Sequence, residues 1–528
     1  MKVAIIGSGM AGMTAGAYLI KEGYDVAIYE QFEHIGGVTA TIHKDGYAWD
    51  LGPMLVEGLS PHEKIGRILA ELGLENELEL IRDERGQSFP DFELRSPKEY
   101  QGPYWRRKRL KTLFPDDSEG LDKYYKFNDT VMKLLYLGNQ IPFEKGIKKF
   151  ILKLKLLKTF LPVKKYKDWS AAQITDYFFS DPKLKTVFLG ILADMVVKPS
   201  EFSAFGVPVF NPECVYDRRV PIDRKGYKLP TYKYIRNGCG ELVKLFEDYI
   251  IQNGGKIFTN SKVNKVIIEN GKAKGLILEN GETIEADIIL ASGGIFNTFY
   301  HLIGKEHLTD ELINHIESLQ LMESVIMVHI GIDFDPRPYQ DIALVYYYRM
   351  NYNIEETIAK VRSGIYHEGK DGFLIYILSF HSPEMAPPGK HAITIYTIAP
   401  HELKDGDWTE QREELADKLV AEAEKIIPGL SEHTQTRVII TPHDFKNRLN
   451  ILRHSFGGIS PTITQSTLPY RTLVKNLWYI GQFSASGAGV FGTAAGGREV
   501  AQMIIKELKG KGEESSLRDL GGDRAHHF

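Results

Sequence analysis

Apolar runs in this chain end at glycine. Val3 to Ile6 form an unbroken apolar stretch that meets "GSGMAGMTAG", and a second stretch, "DVAIYE", follows "AYLIKEGY". "ADIILASGG" and "NLWYIGQFSASGAGVFGTAAGG" repeat the arrangement in mid-chain and near the C-terminus. A strand apolar at every position, rather than at alternate ones, is covered on both faces, as in a parallel sheet flanked by helices. Residues after the turns recur at helical spacing instead, as in "REVAQMIIKEL" and in Leu242, Leu245, Phe246 and Tyr249. "KVNKVIIE" and "KGLILE" flank Asn270-Gly271, a pair that favours a two-residue hairpin. The pattern predicts an α/β fold whose parallel sheet is gathered from distant pieces of chain.

Between those pieces the pattern changes. "SVIMVHIGIDF", "ALVYYYRMNY", "GFLIYILSF" and "HAITIYTIA" are rich in β-branched and aromatic residues and predict strands of a second sheet. One face of that sheet could floor a hydrophobic tunnel; equally it could be ordinary core. "KGIKKFILKLKLLKTFLPVKKYK" carries nine lysines from Lys145 to Lys167 and no acid. As a helix it gathers Ile147, Phe150, Ile151, Leu154, Leu157 and Leu161 on one face, with Lys148, Lys149, Lys153 and Lys155 off it. That suits a helix lying in a lipid headgroup layer, over about 144–167. It equally suits a helix whose apolar face packs on its own protein. "YWRRKRLK", from Tyr104 to Lys111, is a second basic stretch, more often simply solvated. The polar, glycine-containing residues 511–528 read as a mobile tail.

Composition narrows the chemistry. A chain of 528 residues exceeds one compact core and suggests two or three domains. Its net charge of -4 gives no reason to expect a nucleic-acid partner. Cys214 and Cys239 are the only cysteines, which excludes a disulfide framework, a CxxC pair and a cysteine-based zinc site. The sixteen histidines show no HExxH-like spacing, so no metal is expected. The first apolar run ends at a glycine turn rather than a cleavage site, and no apolar run reaches the length of a bilayer span. A cytoplasmic location is the expectation, with peripheral contact at the inner face of the membrane left open. No Ser-His-Asp or paired-carboxylate constellation emerges, so the reactive group is expected to be an organic cofactor.

Gly7, Gly9 and Gly12 supply a GxGxxG turn between a strand and a helix. Such a turn lets the first-turn amides, at Met10 and Ala11, face a diphosphate. Glu30, with Gln31 beside it, ends the second strand about twenty residues on, where an acid accepts from ribose hydroxyls. NAD and FAD are not separated by this unit alone.

The residues that follow separate them. "EHIGGVTAT" places Gly36-Gly37 after the acid, "YAWDLGPMLV" follows, and "TQSTLPYRTLVKNLWYIGQFSASGAGVFGTAAGGREVA" lies near the end. Together these resemble the FAD-binding signature of the amine oxidase superfamily, and within it the phytoene desaturase, carotenoid isomerase and retinol saturase group. The resemblance implies a discontinuous Rossmann-like FAD-binding domain over 1–75, 215–300 and 455–510. It implies an α+β substrate domain with a mixed β-sheet over 76–214 and 301–454. FAD contacts are implied at Gly36, Gly37, Val38, Gly52 and Pro53, at Val263 against the adenine, and at Ser292 and Gly293. Gly481, Gln482, Gly489, Val490 and Gly492 would close over the ribityl chain and the flavin ring. Two positions depart from the pattern: Val38 stands where arginine is usual, and Gln482 where an acid is frequent.

The same resemblance implies an oxidoreductase acting on a lipophilic polyene or isoprenoid. Hydride would pass between a substrate carbon and flavin N5, in desaturation, saturation or isomerisation, with a separate electron acceptor or donor. His329, His381 and His454 lie on segments that could face such a substrate and are the acid–base candidates. The commoner reading of each is a buried, hydrogen-bonded histidine. A flavin amine oxidase and a non-catalytic, FAD-bound membrane adaptor are the alternatives.

Overall fold

The unbroken apolar runs assemble as a five-stranded parallel sheet in the order Lys256–Phe258, Asp25–Tyr29, Lys2–Ile6, Ile288–Ala291, Leu477–Tyr479. This is a computed structural model, and it describes residues 1–52, 54–82, 84–347, 352–451, 457–464 and 467–521. Alternate side chains of the sheet enter two different cores, which is why no polar alternation marks its strands. Val3, Ile5, Ile28, Leu290 and Trp478 pack beneath the helices Met10–Lys21 and Gly240–Gln252. Ala4, Ile289, Ala291 and Tyr479 face a three-stranded antiparallel meander, Val263–Glu269, Lys272–Leu278 and Thr283–Glu285. The expected hairpin turn is there: Asn270 and Gly271 both take positive φ, 50° and 71°.

The first helix is buried along nearly its whole length because the final helix, Val490–Gly521, crosses it. A Cβ on Gly497 would lie 2.3 Å from the Ala11 carbonyl oxygen, so backbone meets backbone there. The final helix continues to Gly521. "EESSLRDL" holds no proline and several good helix formers, and extends a helix already nucleated.

The second sheet has seven strands, in the order Thr434–Ile440, Ser324–Ile332, His391–Ala399, Phe373–Ile377, Leu344–Tyr347, Arg85–Ser88, Glu93–Leu94. It is mixed: Arg85–Ser88 runs parallel to Leu344–Tyr347, and the other neighbours are antiparallel. That parallel pair joins two segments far apart in sequence into one sheet. Ile326, Val328, Ile330, Ile375, Ile393 and Ile395 form one face and pack on Leu415, Leu419 and Ala423 of the helix Arg412–Glu424. Val325, Met327, Leu344, Leu374 and Tyr396 form the other and enter the largest core.

The lysine-rich segment is helical over Gly146–Phe160 and has no buried residue. Its predicted stripe points outward: Ile147, Phe150, Ile151, Leu154, Leu157 and Leu161 are 43–69% exposed. Phe160 turns inward, its ring 6.2 Å from that of Phe205. Among the described residues, no helix is long and apolar enough to cross a membrane.

Candidate cofactor and substrate site

Parallel strands deliver their C-terminal ends to one edge of the sheet, and ligands of such folds bind there. Gly7, Glu30 and Ser292 each follow directly on one of these strands, and Gly481 follows another after Ile480. Gly7 turns with φ +92°, and a Cβ on Gly12 would come within 2.2 Å of the Gly7 carbonyl oxygen. Gly12 is therefore a packing requirement of the turn. Gly9 differs, because a Cβ there would meet nothing within 4 Å. It caps the first helix with no side-chain acceptor, leaving the first-turn amides facing open space.

The Glu30 carboxylate is held from two sides. Its Oε2 accepts from Ser8 N at 2.9 Å and from Ser8 Oγ at 2.6 Å, and its Oε1 accepts from Phe32 N at 3.1 Å. Ser8 Oγ also accepts from Gly36 N at 3.2 Å. The middle residue of GSG thus couples the acid to the glycine pair, a role the motif did not announce.

Two adjoining cavities open on this edge, and Gly9, Gly37, Ser292, Gly293 and Leu449 line both. The smaller, of about 110 Å³, is walled by Gly7, Glu30, Gln31, Val263 and Arg448 among others. The larger, of about 400 Å³, is lined near the sheet by Met10, Ala11, Gly36, Val38 and Gly52. Gly481, Gln482, Gly489 and Val490 close it from the C-terminal turn. Gly492 stays out of the lining and lies against the Ser486 and Gly487 carbonyls. Pro53 and His454 lie outside the described residues.

Away from the glycines, Ile191, Met195, Phe210, Leu344, Leu374 and Tyr396 make the larger cavity apolar. The sheet face that could have been plain core is thus in part a cavity wall. Polar groups interrupt it at Arg85, Asp194 and Tyr232. The Arg85 guanidinium lies 4.2 Å from the centre of the Tyr232 ring, and Tyr232 pairs across strands with Glu57. Burial, then Glu63, pushes the Glu57 carboxyl up to about 7. Burial, then Glu57, raises the Tyr232 phenol well above its usual value. None of these three wall residues, nor Arg448, carries a sequence signal, since each stands alone in its segment.

His329 and His381 do not line this space. His329 is fully buried, its Nδ1 2.9 Å from Thr394 Oγ1 and its ring tilted against Trp49 at 6.0 Å. Burial pulls its pKa down to about 3, so it is neutral. It sits on the same sheet face as Met327, but Trp49 covers it. His381 stacks on Tyr234 at 5.0 Å and lines neither cavity. His329 is a core histidine, and His381 is half-buried beside Tyr234.

The residues fit FAD. The open space over Gly9, the uncapped helix end and the anchored Glu30 suit its adenosine diphosphate half. The larger cavity under Gly481–Val490 suits the flavin, which supplies hydride transfer when bound.

The sequence profile described as flavin containing amine oxidoreductase matches residues 10–505. A phytoene desaturase (lycopene-forming) of Paracoccus sp. is 23% identical over 519 residues, 96% of this chain and 97% of its own. A chloroplastic prolycopene isomerase of an Oncidium hybrid cultivar is 23% identical over 529 residues, 96% of this chain and 84% of its own. The crystal structure of an oxidoreductase from Methanosarcina mazei superposes with a TM-score of 0.59 at 19% identity, over 95% of this chain and all of that one, and shows the same fold. The chain therefore belongs to the flavin containing amine oxidoreductase family, and it is an oxidoreductase whose cofactor is FAD.

Proposed function

We propose that this protein transfers hydride between FAD and a carbon–carbon bond of a long, lipophilic polyene or isoprenoid. The observation that carries the reading is the apolar wall of Ile191, Met195, Phe210, Leu344, Leu374 and Tyr396 leading away from the flavin loops. Such a wall desolvates a hydrocarbon chain without asking for polar partners. The desaturase and isomerase relatives agree with it.

Desaturation takes a hydride from one carbon and a proton from its neighbour; saturation returns both. The chain must therefore hold a proton beside the flavin. The N-terminal turn is the one nucleotide loop apparent in the sequence, so electrons reach or leave the flavin through a separate donor or acceptor. The outward stripe of the helix Gly146–Phe160, with Lys148, Lys153, Lys155 and Lys158 around it, supports peripheral contact with an anionic lipid surface, where such a substrate is dissolved.

The test is anaerobic mixing of the holoenzyme with vesicles that carry candidate polyenes. Loss of the flavin's visible absorbance, with a product shifted by one hydrogen pair, is the expected result. A product of unchanged mass formed only after prior flavin reduction marks isomerisation. Bleaching by small amines, with hydrogen peroxide on re-aeration and no response to any polyene, overturns the reading.

A further inference from the structure

We infer that Arg448 supplies the charge that receives the cofactor's diphosphate, reaching it from outside the glycine-rich segments. The short helix Pro442–Arg448 ends beside the glycine pair. Arg448 Nε donates to the Gly37 carbonyl at 2.8 Å, and its guanidinium carbon lies 5.5 Å from the centre of the Phe32 ring. Gln31 Nε2 donates to the Arg448 carbonyl at 3.1 Å and pins the backbone as well. The Gly37 contact uses only Nε, the inner edge of the guanidinium. Its two terminal nitrogens make no hydrogen bond among the described residues, and the side chain lines the smaller cavity with Gly7, Gly9 and Gly37.

Charge accounting on that cavity singles the residue out. Among the described residues, His34, Lys262 and Arg448 are its basic lining residues. His34 lies 3.1 Å from Glu33, and Lys262 donates to Glu279 at 2.7 Å. Arg448 forms no ion pair among the described residues. The carboxylate that acts on it is Glu30, whose oxygens are already engaged by Ser8 and Phe32. Burial pulls its pKa below the ordinary guanidinium range, the signature of a cation taken out of water without a full counter-charge. A desolvated, unpaired cation is costly unless an anion arrives. The anion this pocket is shaped for is a diphosphate: glycine backbone and a helix N-terminus on one side, a planar fork on the other. Val38, next to the glycine pair, offers no charge of its own. The inference rests on FAD binding alone and is independent of the substrate.

The experiment compares FAD dissociation from holoenzymes carrying Arg448→Gln, Arg448→Lys and Arg448→Ala, read by recovery of flavin fluorescence on dilution. Glutamine keeps a donor for Gly37 and loses the charge, so its dissociation constant should rise about 10- to 100-fold. Lysine keeps the charge and should retain most of the affinity. A glutamine variant that binds FAD like the wild type means that Arg448 only props the loop, and overturns the assignment. A lysine variant as weak as alanine does the same, which keeps the test decisive should Arg448→Gln fail to fold.

Discussion

Along its cofactor end the larger cavity is walled by main chain, at Gly9, Gly37, Gly52 and Gly489; at its far end it is walled by side chains, at Leu344, Leu374 and Tyr396. The first wall is fixed by what is absent. A Cβ at Gly12 would sit 2.2 Å from a carbonyl oxygen, and one at Gly52 would sit 2.6 Å from another. The second wall is fixed by volume, and three separate strands contribute to it. A backbone wall has one solution, whereas a side-chain wall has many of equal volume. The cofactor end should therefore fail abruptly on mutation and the substrate end by degrees.

Gly12→Val tests the abrupt end. The clash with the turn should cost about 3–5 kcal/mol and leave little soluble, yellow protein. Gly9→Ala is its counterpart. Gly9 has φ -64° and open space around it, so alanine should leave the melting temperature of the flavin-free protein unchanged. It should still weaken FAD about tenfold or more, because the methyl group takes the place of the ligand. Normal FAD affinity in Gly9→Ala would dissolve the comparison, since the wall would then not be backbone at that point.

Asp50 extends the comparison behind the wall. Its carboxylate accepts from Cys239 N at 2.7 Å and from Thr41 Oγ1 at 3.0 Å, tying the hairpin before Gly52 to the start of the helix Gly240–Gln252. Burial raises its pKa to about 7 against these hydrogen bonds. The folded value lies above the unfolded one, so the unfolded chain releases this proton first. The stabilisation is full below about pH 4 and is lost as pH rises toward about 7. Asp50→Asn should remove that slope, on the order of 1.4 kcal/mol for each pH unit within the window. Chemical denaturation of both proteins at intervals from pH 4 to 8 checks it; parallel curves would place the proton elsewhere.

At the side-chain end, Leu374→Phe should cost about 1–3 kcal/mol by overpacking and leave FAD binding unchanged. Turnover of a long polyene should fall about tenfold, and that of a shorter one less. Equal losses for both lengths would argue that Leu374 does not bound the substrate.

The same contrast explains what could be read from the sequence. Gly7, Gly12, Asn270 and Gly271 were legible because a turn with positive φ or no room for a Cβ is a local demand. The parallel sheet was legible because burial on both faces leaves an unbroken apolar run. Arg448 and Tyr232 were not legible, since long-range packing, and not spacing, carries each to the cavity. The strand Arg85–Ser88, "RGQS", has no apolar pattern at all and is held by its partner Leu344–Tyr347. For His329 the sheet face was the right one, but Trp49, from a hairpin in another part of the chain, covers the ring. Period alone cannot see a covering residue.

The outward stripe of the helix Gly146–Phe160 offers the gentlest test, because it is apolar surface that neither wall uses. Leu154 and Leu157 are 51% and 56% exposed, so Leu154→Glu with Leu157→Glu removes no core contact. The melting temperature should correspond to within about 0.5 kcal/mol of the wild type. If the stripe lies in a headgroup layer, the same pair loses apolar burial worth about 1.5–3 kcal/mol per side chain and adds like charge against anionic lipid. Co-sedimentation with anionic vesicles should then fall at least tenfold, while turnover of a detergent-dispersed polyene stays as it was. Unchanged partitioning would separate the helix from the membrane and leave its exposed leucines to a protein partner. A large fall in stability would mean instead that the stripe is covered by the protein itself, which is the arrangement an apolar face on a helix most often has.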